Sequence, residues 1–175
     1  MRALALVPDA KLVMIGGQLG ASDPTNAAYL AKVKTLIASL DLAERVIWTD
    51  YAASEIVTAH FTAADLCVMP YRDGASYRRG TLMAALAHGA PIITTDISSQ
   101  LPKMKSILPE LLDGDNCLLV PPDDPHAIAA AIQCAASSPA LRARISAGAR
   151  DLAQHFTWHR IAQQHIELYE RLASE

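Results

Sequence analysis

The chain lacks an excess of positive charge, a long apolar run and a cysteine pairing pattern, and each absence removes a class of protein. Fifteen Lys and Arg stand against eighteen Asp and Glu, a formal net charge of −3. A general nucleic-acid binder carries a basic face to neutralise phosphates, so no nucleic-acid partner is expected. No apolar stretch approaches the roughly 18–20 residues that cross a bilayer. The apolar start Met1–Val7 stops at Pro8-Asp9 without the cleavage-like site of a secretory leader. Cys67, Cys117 and Cys134 are odd in number and far apart, so they read as reduced thiols of a cytoplasmic protein, not as a disulfide framework or a zinc site. Internal repeats, low-complexity tracts and flexible linkers are missing too. What remains is 175 residues, 51% hydrophobic and 19% charged, enough for one domain with a substantial core.

Short apolar runs alternate with helical spacing, which predicts an α/β fold in which helices cover both faces of a mainly parallel sheet of about five strands. The strands are expected at Lys11–Ile15, Arg45–Thr49, Leu66–Met69, Pro91–Thr95 and Cys117–Val120. Helices are expected over 27–40, where Leu30, Val33, Leu36, Ile37 and Leu40 share a face, from a Ser54 cap to Ala63, and from Gly80 onward. Three more are expected at His126–Ser137, Pro139–His155 and Thr157–Ala173. The last is amphipathic, with Trp158, Ile161, His165, Leu168, Tyr169 and Leu172 on one side.

The segment with most chemistry runs from Tyr71 to Leu82, joining the third strand to an Ala-rich helix. It carries Arg78 and Arg79 directly before Gly80, Thr81 and Leu82, with Ser76 just upstream. Free N–H groups and the positive dipole end of a helix favour an anion there, and arginines add full charges. A plainer reading has Arg78 and Arg79 as a solvated pair holding Asp73 or Asp96, and Ser76 and Thr81 as helix caps. Gly16-Gly17 ends the first strand, either as a simple turn or to let a ligand approach the backbone. His88 sits at a helix end, where a dipole or C-cap role outweighs catalysis. His155 and His159 are four apart, but Thr157 between them reads as an N-cap, so no metal site is expected.

Five phrases, in order, resemble a known family. Pro8-Asp9-Ala10-Lys11-Leu12-Val13-Met14-Ile15-Gly16 is similar to its PDxxLxxxG, and Leu42-Ala43-Glu44-Arg45-Val46 to its LxxRV. Ala64-Asp65-Leu66 with Pro70, the run Ala85-Leu86-Ala87-His88-Gly89-Ala90-Pro91, and Asp113-Gly114-Asp115-Asn116 with Pro121-Pro122 complete the pattern. Together they resemble the C-terminal, donor-binding half of GT-B glycosyltransferases, closest to the retaining group 1 (family 4) enzymes. The resemblance implies a Rossmann-like three-layer α/β/α domain that binds a nucleotide-diphosphate sugar and transfers a hexosyl group without a metal or other cofactor. It implies diphosphate contacts at Gly16, Gly17, Ser76, Arg78, Arg79, Gly80, Thr81 and Leu82, and places Tyr51 towards the nucleobase, although Tyr51 also reads as a core aromatic, as does Trp48.

Two departures accompany the resemblance. The family carries two Glu with seven residues between them around this loop, and Ser76 and Ala84 stand at those places. The family's donor domain also starts with one more strand and helix, after an acceptor-binding domain, so residues 1–175 read as a donor domain truncated at its N-terminus. The missing strand falls between those at Lys11 and Leu66, leaving exposed strand edges and a tendency to self-associate. Catalytic and acceptor-binding groups, and any membrane contact, belong to the missing domain, and the last helix packs against it in the family. The rival expectation is a Rossmann-like binding or assembly module without catalysis. A dinucleotide-dependent oxidoreductase is disfavoured because Gly16-Gly17-Gln18-Leu19-Gly20 lacks the G-x-G-x-x-G spacing.

Overall fold

The computed structural model describes residues 1–17, 24–96 and 108–174. Within them lie strands β1 (Leu12–Met14), β2 (Val46–Trp48), β3 (Cys67–Met69), β4 (Ile92–Thr95) and β5 (Leu118–Val120). The helices are α1 (Arg2–Ala5), α2 (Pro24–Ser39), α3 (Ser54–Ala63), α4 (Gly80–His88), α5 (Pro125–Ser137), α6 (Pro139–Ala153) and α7 (Trp158–Ala173). Each strand pair is parallel, with Leu12 opposite Val46, Cys67 opposite Ile92 and Ile93 opposite Leu118. The α/β class with its parallel strands is as the sequence indicates, and the strands are interrupted between β1 and β3, where the sequence reading placed a gap. In place of one sheet of about five strands, the strands divide into β1–β2 and β3–β4–β5. No ladder joins β1 to β3 among the described residues, so each keeps one unbonded edge. Gln18 to Gly20 and Asp23 lie outside the described residues.

β4 explains the layering. All four of its residues are buried, and side chains alternate across a strand. Ile92 packs with Leu82, Ala85 and Leu86 of α4 and with Ala149 and Leu152 of α6. Ile93 points the other way, to Ala3 and Val7 and to Ile128 and Ala129 of α5. Helices therefore cover both faces. The two buried hydroxyls of β4 are satisfied: Thr94 Oγ1 donates to the Met69 carbonyl at 3.0 Å and Thr95 Oγ1 to that of Tyr71. Both bonds tie β4 to the chain leaving β3.

The short helix α1 links the two sheets. Ala3 faces the β4–α5 core, while Leu4 packs with Ile37, Leu42 and Val46 beside β1–β2. Arg45 locks this arrangement: its Nε donates to the Ala10 carbonyl at 2.9 Å, and its Nη2 to the carbonyls of Leu4, at 2.8 Å, and Val7. One guanidinium thus ties α1 and the turn after it to the residue that leads into β2. At the other end of the chain, α7 has no buried residue. Trp158, Tyr169 and Leu172 are 86%, 63% and 57% exposed.

Candidate anion-binding site

The loop between β3 and α4 is pinned at several points. The Ala75 N–H donates to the Thr95 carbonyl at 3.0 Å, and the Arg79 N–H to the Ser76 carbonyl at 3.0 Å. The Tyr77 hydroxyl donates to the Pro109 carbonyl at 2.7 Å, and its ring packs 4.5 Å from Phe156. Burial, followed by nearby Cys117 and Glu110, pushes the Tyr77 phenol up to about 12, so it remains a neutral donor. This loop delivers the chain to α4 in a defined geometry.

Helix α4 begins with Arg79 as N-cap residue and no side-chain cap. That corrects the capping roles read for Ser76 and Thr81. Ser76 Oγ accepts instead from the Arg78 N–H at 3.4 Å. Thr81 lies one residue into the helix, its hydroxyl 2.7 Å from that of Tyr71. By contrast, α5, α6 and α7 are capped by Asp124, Ser138 and Thr157. A Cβ added at Gly80 would meet nothing within 4 Å. Nothing inside the protein requires glycine there, and open space faces the first turn. Leu82 anchors the same turn from below with a fully buried side chain.

The charges are arranged differently from the sequence expectation. Arg79 Nη2 donates to both carboxylate oxygens of Asp73, and the guanidinium lies 4.2 Å from the centre of the Tyr71 ring. Arg72 pairs with Asp123 at 3.1 Å. Two of the three loop arginines are therefore neutralised by local carboxylates, and Arg78 is exposed with no ion pair among the described residues. The plainer reading of Arg79, as partner of Asp73, holds geometrically. Sequence reasoning missed Tyr71 as the platform beneath it; the signal available was an aromatic leading the loop eight residues before Arg79.

Gly16, Gly17 and Tyr51 lie on the other sheet. The Gly16 N–H donates to Thr49 Oγ1 at 3.2 Å, and Gly16 bridges to Asp50, which brings the glycine pair beside Tyr51. Tyr51 is 89% exposed, which rules out a core role, whereas Trp48 is half-buried in the cluster around Leu42 and Val46. His88 Nδ1 lies 2.8 Å from the Ala84 carbonyl and Nε2 3.2 Å from Thr58 Oγ1, and the ring stacks on Phe61. These are helix-end contacts. His155 and His159 fall on either side of the Thr157 cap. No group of three or more metal-ligating side chains occurs among the described residues. The surface depressions beside His88 and Arg142, about 330 Å³, and beside Asp115 and Arg144, about 420 Å³, are not lined by the Arg78–Leu82 segment.

An uncapped helix start just beyond the carboxyl end of a parallel strand is the usual place for an anionic ligand in open α/β folds. The class of protein follows from comparison with known sequences and folds. Residues 1–138 match the family described as Glycosyl transferases group 1, and the chain belongs to it. A D-inositol 3-phosphate glycosyltransferase of Jonesia denitrificans is 28% identical over 164 residues, 94% of this chain and 35% of that protein. The chain thus spans about a third of the length of such relatives. Among solved structures, sucrose-phosphate synthase from Thermosynechococcus elongatus is 27% identical with a TM-score of 0.76, covering 98% of this chain and 41% of that one. Anabaena HepE in complex with UDP has the same fold at 21% identity, TM-score 0.78, over 99% of this chain and 43% of that one.

Proposed function

We propose that this chain is the nucleotide-sugar-binding domain of a glycosyltransferase that transfers a hexosyl group to a glycan, lipid or polysaccharide precursor. The observation that carries this reading is the uncapped first turn of α4, open at Gly80, in a chain of the group 1 family. The N–H groups of Gly80, Thr81 and Leu82 receive phosphate oxygens, Thr81 and Ser76 add hydroxyls, and Arg78 and Arg79 supply positive charge. Across the gap, Gly16 and Gly17 admit the ligand close to the backbone and Tyr51 offers its exposed ring to the base. Sugar transfer builds negative charge on the departing diphosphate, and fixed donors aimed at it lower the barrier. In this reading helix amides and arginines provide that field and no metal is required. Catalytic and acceptor-binding groups lie on the remaining length of the relatives. HepE structures holding UDP and UDP-glucose support the same ligand class.

One observation favours a binding module without turnover. At the two places where the resemblance expects acids, Ser76 turns its hydroxyl to the Arg78 amide and Ala84 lies within α4. Calorimetry with UDP, GDP and ADP tests the shared premise: at least one diphosphate binds the folded protein. Gly80→Ala weakens that binding on the order of tenfold or more while the melting temperature stays unchanged. No binding by any of them removes the proposal. Slow release of sugar from UDP-glucose by the chain supports transferase chemistry; tight binding without release supports the module.

A further inference from the structure

We infer that Asp73 and Tyr71 are positioning residues for the phosphate end of the ligand, acting through Arg79 without touching the ligand. This rests on the function proposed above and concerns how that site is held ready. An arginine on a surface loop samples many rotamers, and ordering it on binding costs affinity. Here the ordering precedes the ligand. Tyr71 meets α4 through its hydroxyl on Thr81 and carries the Arg79 guanidinium on its ring face. It is itself fixed by the Thr95 hydroxyl on its carbonyl. Tyr71 therefore sets the separation between the guanidinium and the first turn of α4.

Asp73 completes the clamp in an unusual way. Both of its oxygens accept from Nη2 alone, whereas a side-on fork would use two nitrogens of the guanidinium. The end-on pairing leaves Nη1 without a partner among the described residues, and Nε is buried with none. Arg79 is thus held with Nη1 left to donate to a second anion, while the buried Nε stays out of its reach. Asp73 is 74% exposed, so water screens its charge and its repulsion of a phosphate is small. Arg78, exposed and without an ion pair among the described residues, adds the net charge that Asp73 cancels on Arg79.

Titration of the full chain with inorganic pyrophosphate, alongside thermal melts, tests this. Asp73→Asn weakens pyrophosphate binding about threefold to tenfold, the loss expected when one long side chain must be ordered on binding. Asp73→Glu recovers part of it, and neither shifts the melting temperature. Asp123→Asn removes the same charge from the Arg72 pair, between the loop and the turn before α5, but leaves Arg79 untouched, so affinity holds or rises. Unchanged or tighter binding in Asp73→Asn overturns the inference, the tighter case making Asp73 a rival anion. So does a Glu variant no better than Asn. Wild-type protein that binds neither pyrophosphate nor UDP fails at the earlier step, and the proposed function falls with it.

Discussion

At the scale of single residues, burial decides which groups are chemically available. Burial pushes the Cys67 thiol up to about 11, and burial with the carboxylates of Asp113, Asp96 and Asp115 pushes Cys117 up to about 12. Cys134 is exposed. The thiolate is the reactive form, so at pH 8 iodoacetamide labels the native chain at Cys134 alone, as mass spectrometry of the digested protein should show. The sign for stability follows from the same shifts. The folded state holds these two protons more tightly than the unfolded chain, whose thiols ionise near pH 9, so stability present below pH 9 is lost as pH rises towards 11–12. Early labelling of Cys117 in a folded sample contradicts the packing around β4. The sequence reading of reduced core thiols fits two of the three cysteines; Cys134 has an apolar neighbourhood in sequence but faces outward on α5.

At the scale of elements, close approach matters more than propensity. Helix α6 passes so near the turn before β5 that a Cβ on Gly148 would lie 2.4 Å from the Asp115 carbonyl oxygen and 3.0 Å from Asn116 Cα. Both are backbone atoms and cannot swing aside. Gly148→Ala therefore destabilises the fold by about 1–3 kcal/mol, the usual range for overpacking, despite alanine's better helix propensity. A urea midpoint at or above wild type contradicts this contact. Element types were legible because apolar periodicity tracks burial: β4, read from Pro91–Thr95, is buried throughout, and α4 starts at the Gly80 the loop chemistry singled out. Caps were legible where one polar residue stood between apolar neighbours ahead of a helical run, as at Thr157. They were misread at Ser54, which is the first helical residue and donates to Glu55, because a cap differs from its neighbour only in backbone angles. The Arg79–Asp73 pair was visible as an alternative; its end-on geometry and the Tyr71 platform depend on rotamers that no spacing encodes.

At the scale of the whole molecule, two parallel sheets meet through α1, Arg45 and packed side chains, not through a shared ladder. Among the described residues no ladder covers the inner edges of β1 and β3, and Val13 and Ile15 are each 38% exposed on the β1 side. Unprotected edges of this kind pair with other chains. The purified chain is expected to associate between low and high micromolar concentration, with sedimentation velocity showing species larger than a monomer. A monomer throughout that range, with a sharp melt independent of concentration, argues against open edges. No described helix is long and apolar enough to cross a membrane.

That helix gives the molecule a reporter of its own. The chain has two tryptophans; Trp48 is half inside the β2 packing, and Trp158 stands almost bare at the start of α7. Ultraviolet emission therefore divides into a shielded component tied to the integrity of β1–β2 and a red-shifted, quenchable one tied to the surroundings of α7. Whatever comes to cover α7 announces itself by moving the second component to the blue and leaving the first in place.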